Sequence, residues 1–326
     1  MIKNIGIVTY YNALNNGAFL QALAINSFLE QHGFDVSFIN TKEDFSLPKL
    51  ANTNEINYWN AYKKKLEECH SMLKQTEESS FDAIIYGSDE IWNLNGHGKN
   101  PLFWGYKLTS TNKIVYAACA GDTGIKHLIK YPFAIWGILT KFKAISVRDI
   151  ATKNLVSRFS PKSISECLDP TFLGDFTKYK KENLQGDYIV IYSYSLKKET
   201  IKQIKKFASI HNYKTIFTGS YSDWADENPI LNPIEWLSLM YNAKYVFTST
   251  FHGSVFSIIC KREFYVVDTN SNKVCDLLHR LDLTDRLINN FEYLPNRINY
   301  EEVDKKIEKN RISSKKFLLS NLNYGL

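Results

Sequence analysis

The sequence predicts an α/β protein: two Rossmann-like domains facing a cleft, followed by a C-terminal helical tail. Three observations predict it. Short apolar runs alternate with stretches of helical period, as in parallel strands covered by crossover helices. The alternation breaks near 176–187, in the charged string DFTKYKKENLQGD, and then starts again, as expected of a linker. The chain has 326 residues, and roughly 150 per domain makes that a two-domain length. The expected divisions are 1–178, 179–299 and a tail over 300–326 that packs back on the first domain.

Each element has its own signal. Residues 5–9 form a first apolar run, and 16–31 carry Leu20, Leu23, Ala24 and Phe28 on one helical stripe. A strand follows at 34–39, then a polar and aromatic region, 41–80, with a helical stretch over 58–75. Strands are predicted at 83–86, 114–118 and 144–147, after which Asp149 caps a helix running towards Phe159. Beyond the linker come a strand at 188–192, a helix at 197–211 and a strand at 215–218. Asn232-Pro233-Ile234-Glu235 is a strong helix start, with a cap, a proline at the first position and an acid at the third. A strand at 245–249, a helix at 253–260, a strand at 264–267 and a charged helical tail at 300–322 complete the series.

Composition narrows the function classes. Hydrophobic residues make up 44% and charged residues 23%, which excludes disorder, collagen and coiled coil as dominant states. The net charge of +6 is mild. It suits an anionic small ligand or an anionic membrane surface. Basic runs interleaved with aromatics are missing, so nucleic acid is not an expected partner. The five cysteines, Cys69, Cys119, Cys167, Cys260 and Cys275, are odd in number and form no C-x-x-C pair. Neither disulfides nor a cysteine metal site is expected. The seven histidines show no H-E-x-x-H, so no metal is expected from them either. MIKNIGIVTYYN reads as a first strand rather than a signal peptide. The longest mostly apolar stretch, 131–139, falls far short of the ~20 residues of a membrane span. A cytoplasmic location is expected, with peripheral contact at the inner face of the cell membrane compatible with it.

Four strand-to-helix turns could carry chemistry. In Thr248-Ser249-Thr250-Phe251-His252-Gly253-Ser254 a strand ends and Gly253 opens a helix. The N–H groups of Gly253 and Ser254 would then point into the cleft beside Thr250, at the positive end of the helix dipole. His252 there is either an acid–base group or a helix cap. In Tyr86-Gly87-Ser88-Asp89-Glu90, Ser88 and Asp89 stand at a strand end, where Asp89 either orients a hydroxyl or caps a turn. In Ser146-Val147-Arg148-Asp149, Arg148 either holds a carboxylate or phosphate with its two-pronged guanidinium or pairs with Asp149 or another acid. Asn16-Gly17, after Tyr10-Tyr11-Asn12, either takes an anion or sugar or merely caps its helix. The G-x-G-x-x-G and G-K-[ST] signatures are absent, which disfavours ordinary NAD or ATP binding. Small residues at Ala117-Ala118-Cys119-Ala120-Gly121 allow close approach. Trp104, Tyr106, Tyr131, Phe133 and Trp136 suit sugar stacking or a membrane edge, and most of the aromatics are expected in the core.

In order, these stretches resemble the polysaccharide pyruvyl transferase family. The resemblance rests on NNGAFLQALAINSFLEQHGFDV, YGSDEIWN, YAACAGDTG, SVRD, CLDPTFL, EWLSLMYNAKYVFTSTFHGSVFSIICKREFYVV and NKVCDLLHRLDLTDR, and runs from near residue 5 to near 320. It implies a GT-B-like fold with the acceptor on the first domain and the donor on the second. It also implies transfer of the enolpyruvyl unit of phosphoenolpyruvate, the donor substrate, to two hydroxyls of a sugar. No further cofactor is implied, and the acceptor would be a sugar or lipid-linked oligosaccharide in a surface or capsular polysaccharide precursor. His252 matches the family's cleft histidine and Arg148 its arginine near the donor carboxylate. Two positions depart from the family: some members carry arginine where this chain has Thr250, and the closing pattern usually has arginine where it has Lys273, so donor charge is expected to be balanced differently, by Lys273 with Arg286. The competing readings are a GT-B glycosyltransferase using a nucleotide sugar and a non-catalytic two-lobed sugar-binding protein.

Overall fold

The computed structural model describes residues 2–43, 45, 52–181 and 187–324. Its first sheet has seven parallel strands: β1 (Asn4–Val8), β2 (Asp35–Ile39), β3 (Gln75–Thr76), β4 (Ala83–Tyr86), β5 (Lys113–Ala118), β6 (Ala144–Val147) and β7 (Ile164–Glu166). They lie in the order β3-β2-β1-β4-β5-β6-β7, so the winding reverses between β1 and β4. The second sheet holds β8 (Tyr188–Tyr192), β9 (Lys214–Thr218), β10 (Tyr245–Thr248) and β11 (Glu263–Val266), again all parallel. Its order is β11-β10-β8-β9, with the reversal between β8 and β10. Helices α1 (Asn16–Gln31), α2 (Thr53–Cys69), α3 (Ile125–Lys130), α4 (Pro132–Thr140) and α5 (Ile150–Val156) belong to the first lobe. Helices α6 (Lys198–His211), α7 (Pro233–Asn242), α8 (Phe251–Ile259) and α9 (Asn272–Arg280) belong to the second, and α10 (Tyr300–Asn321) ends the chain. The linker residues 182–186 lie outside the described residues.

The strands are apolar because both faces of a parallel sheet are covered. Ala83, Ile84, Ile85 and Tyr86 have no exposed surface, nor have Ile189, Val190 and Ile191. Helix α1 is buried nearly all round, wedged against the 3-10 turn Pro170–Leu173 of its own lobe and α7 of the other. A single hydrophobic cluster therefore runs from Ile5 and Phe19 through Trp236 to Leu318, joining both sheets and the tail. Helix α7 starts as expected, with Asn232 and Glu235 forming a reciprocal capping box and Pro233 at the first position.

Several elements depart from the sequence reading. The helical stretch expected over 58–75 is α2, beginning at Thr53 because the Asn52 side chain accepts from the Glu55 N–H. Gln75–Thr76 leaves the helix and pairs with β2 as an edge strand. Helix α8 begins at Phe251, two residues before Gly253, because Thr250 is the cap. The short strand β7 and the helices α3, α4 and α9 were outside the expected series. Trp104 is core, stacked on Trp92 at 5.2 Å between ring centres. No described helix is long and apolar enough to cross a membrane.

Candidate active site

In parallel sheets, ligands bind beyond the carboxyl ends of the strands, where the winding reverses. Both reversal points of this chain open on the same cavity, of about 650 Å³. The β1/β4 point contributes Tyr10, Asp89 and Glu90; the β8/β10 point contributes Tyr194, Ser249, Thr250 and His252. The segment after β11 adds Asp268 and Lys273.

The first wall is set by a bulge. Pairing of β5 with β6 slips between Val115 and Ala118, and Ala117 adopts φ +48. The turn after β4 locks onto that bulge: Ser88 Oγ lies 2.9 Å from the Ala117 carbonyl oxygen, and the Cys119 N–H donates to the Asp89 carbonyl. Asp89 is held in the left-handed region at φ +75, where an aspartate is tolerated better than most side chains. Its Oδ1 accepts from the Glu90 N–H at 2.8 Å. Glu90 pairs with Lys273 across the cleft. Burial opposes its charge, yet Lys273 and Asn93 outweigh that and hold its carboxyl at about 2.

Beneath the wall is a buried carboxylate, Asp169, which the resemblance touched only as part of CLDPTFL. Its Oδ2 lies 2.7 Å from Arg148 Nη1, 3.2 Å from Ser88 Oγ and 3.6 Å from His252 Nε2. Its Oδ1 accepts from the N–H and hydroxyl of Thr171 at 3.1 and 2.8 Å. Burial pushes this carboxyl up, but His252 and Arg148 outweigh burial and hold it well below the ordinary range. At 3.6 Å the contact to His252 is too long for a hydrogen bond. Asp169 thus joins the first lobe to the helix of the second.

The expected site residues divide into two groups. His252, Thr250, Lys273 and Asp89 line the cavity. Arg148 does not: only 4% of it is exposed, its Nη2 lies 3.7 Å from Asp89, and its guanidinium carbon sits 4.1 Å over the Phe251 ring. Its pairing acid is Asp169, whereas Asp149 caps α5 by accepting from the Thr152 N–H. Ser88 is fully buried beside Asp169. Gly253 and Ser254 spend their N–H groups on the cap, on Thr250 Oγ1 at 2.9 Å and the Thr250 carbonyl at 3.2 Å, rather than facing the cavity. The first-turn N–H groups of Phe251 and His252 are the ones outside that cap.

At α1 the same correction applies. The Gly17 N–H donates to the Asn15 side chain at 2.8 Å, and Asn16 Oδ1 accepts from the Tyr62 hydroxyl. Gly17 faces His252 instead: a Cβ built there would lie 2.1 Å from the imidazole Cγ. Asn15, outside the expected set, lines the cavity and donates to the Tyr194 hydroxyl at 2.6 Å. Arg286 is far from this role, buried against Asp285 and Glu263 with an N–H on the Asn296 carbonyl.

A model of the polysaccharide pyruvyl transferase family matches residues 15–271. The chain belongs to this family. The match takes in every residue of the Asp169 cluster, from Ser88 to His252. A solved structure shows the fold. A UDP-GlcNAc 2-epimerase from Methanocaldococcus jannaschii is 14% identical, with all of each chain covered and a TM-score of 0.55. Heptosyltransferase WaaC of E. coli is 11% identical over 95% of this chain and 99% of its own, at a TM-score of 0.41. The pyruvyl transferase architecture here is GT-B-like, two parallel α/β lobes about a cleft. No curated protein sequence matches the chain.

Proposed function

We propose that the chain transfers the enolpyruvyl unit of phosphoenolpyruvate to two hydroxyls of one sugar in a polysaccharide precursor. The product is a pyruvate ketal and the leaving group is phosphate. The observation that carries this reading is His252, on the cavity wall of a member of this family, standing over the buried Asp169 carboxylate.

The two walls suit two substrates. The second lobe offers the hydroxyls of Ser249 and Thr250 and the start of α8, beside the Lys273–Glu90 ion pair, which favour an anionic donor. The first lobe offers the carboxylate of Asp89, which favours the hydroxyls of a sugar. In the reaction, protonation at C3 of the donor gives oxocarbenium character at C2. One sugar hydroxyl attacks C2, phosphate leaves, and the second hydroxyl closes the ketal. His252 supplies the proton or steadies the leaving phosphate, and Asp169 stabilises its imidazolium and fixes the ring. Asp89 accepts the proton of an attacking hydroxyl. Arg148 acts as a positioning residue, balancing Asp169 and supporting Phe251 from behind the wall. A donor drawn from central metabolism calls for a cytoplasmic location.

The test is ligand-dependent melting followed by phosphate release. Phosphoenolpyruvate at about one hundred times its Kd should stabilise the fold by about 2.7 kcal/mol. Phosphate should appear once a sugar acceptor is added. A shift with a nucleotide sugar and none with phosphoenolpyruvate would overturn the reading in favour of a glycosyltransferase.

A further inference from the structure

We propose that the α3–α4 hairpin docks the protein on an anionic bilayer surface. The hairpin exposes large apolar side chains that a water-facing helix pair has no reason to carry. Ile129 is 67% exposed and Trp136 58%, with Ile125 and Leu139 beside them at 36% each. Ile125 and Ile129 are four residues apart and share one face of α3, as Trp136 and Leu139, three apart, share one face of α4. The pair is anchored in the protein, where Leu128, Ala134 and Ile138 are buried and Gly137 lies against Trp104.

Charge selects the partner. From 124 to 143 the chain carries Lys126, Lys130, Lys141 and Lys143 and no acid. The wider stretch 91–147 holds seven lysines against Asp122 alone. Lys113 is turned inward onto the Gly105 and Leu108 carbonyls, and Lys141 lies over Tyr106. Lys99, Lys107, Lys126 and Lys130 remain exposed. Exposed isoleucine and tryptophan rimmed by lysine match the interface of a bilayer bearing anionic lipid, where apolar side chains enter the acyl boundary and cations meet the headgroups.

The position gives the surface a use, which rests on the proposed function. Asp122 lines the cavity and stands three residues before α3. Three residues of chain reach at most about 11 Å. A docked hairpin therefore holds the cavity near the headgroups, where a lipid-linked sugar acceptor would be presented.

The full-length chain should be sedimented with vesicles of phosphatidylcholine, alone or with about one third phosphatidylglycerol. Binding is expected only with the anionic lipid, and it should weaken as salt rises. Lys126→Gln and Lys130→Gln should each weaken binding about five-fold. Ile129→Ser with Trp136→Ser should abolish it. Trp136→Phe should keep binding but lose the quenching of tryptophan fluorescence by brominated acyl chains. All these variants should transfer pyruvate to a water-soluble acceptor at the wild-type rate, so docking and chemistry can fail separately. Wild-type protein that ignores anionic vesicles, or binding that survives the paired serine substitutions, would overturn the proposal. So would a dimer that those substitutions convert to monomer, which would assign the surface to a second copy of the chain.

Discussion

Helices α1 and α8 start on opposite walls of the cavity, each behind a polar cap with a glycine in its first turn. Read as sequence, both starts look like room left for a ligand. The structure fills both glycine positions with protein. At α8 the occupants are local, since the space above Gly253 is taken by the Thr248 and Thr250 hydroxyls that cap the helix. At α1 the occupant comes from the other lobe, the imidazole of His252. One glycine completes a helix cap; the other is the socket in which a residue of the opposite lobe is seated. The lesson is that a glycine beside a cavity marks a close approach but does not say what approaches.

That contrast can be broken by mutation. The largest effect is expected at the seated residue. His252→Gln should fold normally and lose on the order of 10²–10⁴ in turnover if it is the acid–base group. Matched melting and pyruvyl-transfer measurements check this, and a folded variant with near-normal turnover would remove His252 from the chemistry. Next comes the carboxylate beneath it. Asp169→Ala leaves Arg148 buried without its closest acid, which should cost about 3–5 kcal/mol in denaturant unfolding. Asp169→Ala with Arg148→Met should recover part of that stability without recovering turnover.

Gly17→Ala is expected to cost about 1–3 kcal/mol through overpacking. Its turnover should fall further than its stability accounts for, because the new methyl group pushes on the imidazole. Equal stability loss in Gly253→Ala, with turnover per folded molecule kept, would sharpen the distinction between socket and cap. The smallest effect is at the cap itself. Thr250→Ala should cost about 1 kcal/mol, read from the shift in denaturation midpoint.

The fold was largely legible because its signals are local. The runs at 83–86, 144–147 and 188–192 coincide with β4, β6 and β8, and the helix expected over 16–31 is α1 to the residue. What escaped has little local signal. Strand β7 is three residues long, and β3 exists only through its pairing with β2. In the site, His252, Thr250, Asp89 and Lys273 could be reached from motifs and resemblance, because each stands beside a strand end or in a family string. Asp169 could not be singled out, since its partners Ser88, Arg148 and His252 are 81, 21 and 83 positions away. Asp169-Pro170-Thr171 carries a turn-capping signature, and that was the available hint. The N–H groups of Gly17, Gly253 and Ser254 were misread because a cap side chain or carbonyl competes with any ligand for the same donors.

The course of α10 has a mechanical consequence. Near its start Tyr300 donates to the Arg262 carbonyl and Asp304 meets Lys261, both on the second lobe. Further along, Ser314 Oγ accepts from the Leu168 N–H and Arg311 donates to the Phe172 carbonyl, both on the first. At its end the Asn321 carbonyl accepts from Asn112 and Lys143. The polypeptide therefore passes between the lobes twice, once on the way to β8 and once along this helix. A single crossing acts as a ball joint, whereas two crossings act as the two pins of a door. Two pins resist twisting of one lobe on the other, and with the shared core behind them they hold Gly17 and His252 in register.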